Sequence, residues 1–163
     1  LKESSEAKTF LEKSVRGDGL DDDFKLVFRP ASPPPPTARQ LAAYTRKHGL
    51  EKAVELIRAC RDDIEVGGDG VGGAVQLLTD DGRMTDAVTL ITRSADIFPK
   101  SMAIHSRLGQ VLTVTGDRTG ALAAYRTALD LVDGETADEP TKSRLKKELE
   151  AKVKEFGGGD GRK

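Results

Sequence analysis

Tryptophan is absent from this 163-residue chain, and cysteine occurs only once. The lone Cys60 cannot close an internal disulfide, so no oxidised framework is expected to hold the fold, and the compartment stays open on that count. No stretch approaches the run of about 18 apolar residues that a membrane-spanning helix needs, and the N-terminus lacks the charged-then-apolar pattern of a secretory leader. A surplus of either charge is missing too, with 26 basic residues against 27 acidic ones. A net charge of −1 gives no electrostatic footprint for DNA, RNA or an anionic membrane, so neither nucleic acid nor a membrane is expected as a partner. Two tyrosines and five phenylalanines also leave few platforms for stacking bases. What remains is an ordinary soluble composition, 37% hydrophobic and 33% charged, in a chain of single-domain length. The first residue is Leu1 rather than methionine, a start expected of a processed protein or of a piece of a longer one.

Along the chain, Ala7, Phe10, Leu11 and Val15 fall at helical spacing, Gly17 to Gly19 break the pattern, and Phe24, Leu26 and Phe28 alternate as in a short strand. Pro33 to Pro36 then form an extended spacer, which makes residues 1–29 an N-terminal segment and 30–36 a linker. Thr37 to Gln40 spell a capping box, so a helix is expected to start there. Apolar stripes predict helices over about 37–47, 50–61, 70–80, 84–97, 101–115 and 118–132, with Gly82 and Gly116 at turns that need positive φ. Asp138-Glu139-Pro140 opens one more helix, with Leu145, Leu149, Val153 and Phe156 on one face and lysine and glutamate elsewhere. That segment reads as the polar cap of a stack of helices, with 157–163 as a disordered tail.

A fixed spacing of 34 residues recurs through the middle of the chain. Ala53, Ala87 and Ala121 keep it, as do Ile57, Ile91 and Tyr125, then Cys60, Ser94 and Ala128, then Tyr44, Leu78 and Leu112. Small residues at two places let helices approach closely, and the larger apolar residue between them fills the remaining space. Thr45, Thr79 and Thr113 repeat at the same interval.

With two helices per period, this pattern resembles the tetratricopeptide repeat. Leu108-Gly109, Leu112, Ala121, Tyr125 and Ala128 match its leucine-glycine, apolar, alanine, aromatic and alanine places, whereas the second copy has Ala74-Val75 at the leucine-glycine place. The resemblance implies an all-α fold, a short right-handed solenoid of three antiparallel helix pairs over 37–156 with a C-terminal capping helix, beside the small N-terminal helix and strand segment. It also implies that the first helix of each pair lines a groove, placing Thr45, Arg46, Gln76, Thr79, Gln110 and Thr113 there. Such a polar ladder either hydrogen-bonds an extended peptide or merely keeps the inner face wet. The groove lacks the lysine and asparagine cluster with which some members of the family clamp C-terminal carboxylates.

Residues 48–132 are similar, in order, to the helical-repeat tail of some bacterial serine hydrolases of the penicillin-recognising and esterase types. The similarity runs through Gly49-Leu50-Glu51-Lys52-Ala53, Asp86-Ala87-Val88, Phe98-Pro99-Lys100-Ser101, Ser106-Arg107-Leu108-Gly109 and Gly116-Asp117 to Tyr125. Gln110 and Val71-Gly72-Gly73-Ala74 depart from it.

Motifs that could carry chemistry have plainer readings beside them. Gly68 to Gly73 spell G-x-G-x-x-G, yet they sit inside the helical repeat, where a flexible entry to a helix accounts for them. Ser5 and Ser143 each begin an S-x-x-K match on a charged amphipathic segment, a frequency that chance supplies. His48 and His105 have no partners at metal-ligand spacing, and Cys60 occupies a packing position. No catalytic residue, cofactor or metal is therefore expected in this chain. Two functions stay open: a non-catalytic interaction module binding a peptide, a partner protein or its own upstream domain, and the C-terminal fragment of a hydrolase whose catalytic serine precedes Leu1.

Overall fold

The computed structural model describes residues 35–66 and 69–158. The N-terminal segment, most of the proline-rich linker, Ser5, Gly68 and the tail beyond Gly158 lie outside the described residues. Those described are all-α, without a strand: α1 (Ala38–His48), α2 (Leu50–Ala59), α3 (Val71–Asp80), α4 (Met84–Ile97), α5 (Met102–Thr115), α6 (Arg118–Leu131), a 3-10 turn (Val132–Gly134) and α7 (Glu139–Gly157). The chain divides into two compact units, Leu1–Asp86 and Ala87–Lys163.

In the first unit, Thr37 caps α1 with its side chain, and Gln40 reaches back to the Thr37 N–H at 2.9 Å, completing the capping box. The helix stops at Gly49, whose φ of 85° is open to glycine and strained for other residues. α1 packs on both α2 and α3. Leu41, Ala53, Ile57, Ala74, Val75 and Leu78 are all fully buried in this unit, a continuous apolar interior drawn from three short helices.

α3 starts differently. The Val71 N–H donates to the Glu65 carbonyl and the Gly72 N–H to the Val66 carbonyl, both at 3.0 Å, while the Glu65 carboxylate accepts from the Asp69 N–H at 2.9 Å. A Cβ on the buried Gly70 would fall on the Glu65 carbonyl oxygen, so the loop can fold over this helix start only because residue 70 has no side chain.

In the second unit, Ser101, Asp117 and Asp138 cap α5, α6 and α7, each accepting a backbone N–H three residues on. Ala121, Tyr125, Ala128 and Val132 meet Leu149 and Phe156 of α7, with Leu122, Leu129, Leu145 and Val153 around them. Tyr125 and Phe156 stack with ring centroids 5.8 Å apart. Arg118 lies over the Phe156 ring and donates to the Glu155 carbonyl, covering the end of α7. Gly109 brings α5 close to α6, because a Cβ there would stand 2.7 Å from the Tyr125 ring.

Burial recurs at the spacing of 34. Ala53, Ala87 and Ala121 are each 0% exposed, and Ile57, Ile91 and Tyr125 no more than 2%. Cys60 departs from Ser94 and Ala128 by being only half-buried. The reason is local: α2 ends at Ala59, so Cys60 is its C-cap, whereas the other two lie inside helices of 14 residues.

Candidate functional site

The threonines at the 34-residue interval direct their hydroxyls inward. Thr45 donates to the Leu41 carbonyl at 2.8 Å, Thr79 to Val75 at 2.9 Å and Thr113 to Gly109 at 2.8 Å. In each case the acceptor is the carbonyl four residues back, which a β-branched hydroxyl inside a helix reaches without leaving a favoured rotamer. Thr45 is fully buried, and Thr79 and Thr113 are half-buried. Thr113 also has the Tyr125 hydroxyl at 3.4 Å. Each hydroxyl proton is thus committed to its own helix.

The remaining residues of the expected groove are exposed: Arg46 on α1, Gln76 on α3 and Gln110 on α5. On the face that α1 and α3 share, two carboxylates that the sequence reading passed over organise them. Arg46 Nε donates to Asp81 Oδ2 at 2.8 Å, and its Nη2 donates to the same oxygen. Gln76 Nε2 donates to Asp80 Oδ1 at 2.7 Å. The first contact bridges α1 to the end of α3 across 35 positions of sequence, and the second runs along one helix. Together they make a polar face of a guanidinium, an amide and two carboxylates. In the second unit Thr113 on α5 repeats the Thr79 bond, while Val114 stands where Asp80 does and leaves Gln110 without that carboxylate partner.

The other motifs are engaged elsewhere. Ser143 is exposed on α7, and Lys146 of its S-x-x-K match holds Asp133 Oδ1 at 2.6 Å. That hydrogen bond raises the lysine pKa, the direction opposite to what a general base needs. His48 ends α1 with its ring centroid 4.6 Å from that of Tyr44. Desolvation, with the charge of Lys47 adding, holds its pKa below the usual imidazole value. His105 Nε2 lies 3.0 Å from the Pro99 carbonyl. Among the described residues no group of three or more histidine, cysteine, aspartate or glutamate side chains could hold a metal ion, and no helix is long and apolar enough to cross a membrane. At the G-x-G-x-x-G segment, the Val71 and Gly72 N–H groups that would face a phosphate are bonded to Glu65 and Val66.

Comparison with known proteins finds no matching family model, no matching curated protein and no matching solved structure.

Proposed function

We propose that the chain is a non-catalytic interaction module of tetratricopeptide type that binds an extended peptide segment, from a partner protein or from its own upstream domain, on the exposed face of α1 and α3. The recurrence of three features at one spacing carries this reading: a threonine bonded back to its own helix, a buried alanine and a buried larger residue each return at intervals of 34 residues. Repeated units of this kind hold a surface rigid, so that polar side chains on it are positioned before a ligand arrives. The binding groups are Arg46 on α1 and Gln76 on α3, both in the first unit. The threonines act as internal ties and do not read the ligand, because their hydroxyls already donate to carbonyls of their own helices and Thr45 is fully buried.

A random peptide library displayed on phage and panned on the purified chain tests the proposal. Clones should enrich, and Arg46→Gln combined with Gln76→Ala should weaken them about tenfold while the melting temperature stays nearly unchanged. Absence of enrichment overturns the reading, as does binding that survives the double change and fails when the exposed residues of α2 or α6 are altered.

A further inference from the structure

The two N–H groups that Arg46 gives to Asp81 come from one edge of the guanidinium and end on one oxygen, Oδ2. Both side chains stay accessible, Arg46 at 39% and Asp81 at 43%, so the pair sits at the surface with the second edge of Arg46 turned away from its partner. Asp80, next in the chain and exposed, adds a second carboxylate held to Gln76. One positive charge and two negative ones therefore share this end of the α1 and α3 face. Lys47, beside Arg46, stands about 100° further round the α1 axis.

We propose that Asp81 sets the charge preference of this face: by neutralising Arg46 it makes the chain accept an uncharged peptide carbonyl at that point and reject an acidic side chain. The proposal rests on the peptide-binding reading above. A carbonyl dipole can take a hydrogen bond from the outer edge of Arg46 at no charge cost. An approaching carboxylate meets the same donor, but it also meets Asp81 and Asp80, and its attraction to Arg46 is cancelled. Asp81 is thus a specificity-determining residue that acts through Arg46, and removing its charge should turn a neutral donor into a site for acidic peptides.

The test uses the full chain and peptides enriched on it, each made with glutamine and with glutamate at successive positions. The wild-type chain should bind the glutamine forms better wherever the position falls near Arg46. Asp81→Asn should bind the glutamate form about fivefold more tightly than wild type does, and the glutamine form should change by less than about twofold. Adding Arg46→Gln should abolish the gain, which a merely structural role for Asp81 would not predict. Circular dichroism melts of each variant confirm that the fold is retained. If peptides enrich but glutamate and glutamine are discriminated equally by wild type and Asp81→Asn, the role of Asp81 is refuted while peptide binding stands. If no peptide enriches on the wild-type chain, the binding reading fails and takes this inference with it.

Discussion

Leu41 on α1 and Ile57 on α2 occupy the places that, two periods later, fall to Gly109 on α5 and Tyr125 on α6. In the first unit both residues are branched aliphatics, each 0% exposed. In the second, one partner has no side chain at all and the other is a ring that fills the space, 2% exposed, with its hydroxyl near Thr113. The helical register is common to both, but the volume is divided differently. What the repeat conserves is therefore the spacing of small, large and hydroxyl positions along the helices, and each pair settles its own packing.

Mutations that move volume between those positions should expose the difference. Leu41→Ala removes a fully buried branched side chain and should destabilise by about 3 kcal/mol in urea melts. Gly109→Ala should cost about 2 kcal/mol, since the new methyl meets the buried Tyr125 ring. Combined with Tyr125→Leu, the same glycine change should cost clearly less than the sum of the two single changes. A neutral Gly109→Ala would mean that the ring has room to move and that the comparison is misdrawn. The threonines separate more weakly: Thr45→Ala, fully buried, should cost about 1 kcal/mol, and the half-buried Thr113→Ala about 0.5 kcal/mol.

Helix positions were legible in the sequence because periodicity, caps and glycines agreed. Thr37 to Gln40 forms the capping box that its sequence announces, and Gly82 and Gly116 have the positive φ their places require. α2 ends at Ala59, short of the expected residue 61, because apolar periodicity carries on through Cys60 to Ile64 while the backbone turns away. The exposed site was harder to read. A helical threonine can either face solvent or bond its own carbonyl, and spacing alone does not separate these; only the burial of Thr45 and the 2.8 Å bond to Leu41 do. Asp81 gave no signal either, since its partner Arg46 stands 35 residues away and no repeat of that pair exists in the other copies. Gly70 was visible as part of a glycine-rich run, but its reason, the Glu65 carbonyl pressed against it, is a loop contact that no local pattern encodes.

The most direct measurement is a nuclear magnetic resonance titration of the isotopically labelled chain with a peptide selected on it. Shifts concentrated at the Gln76 side-chain amide, the Arg46 guanidinium and the neighbouring backbone of α1 and α3, with the Thr45 signals little changed, are the result this account predicts. Shifts gathered instead on the exposed residues of α2, or on α6 and α7, with Gln76 and Arg46 unmoved, would contradict it.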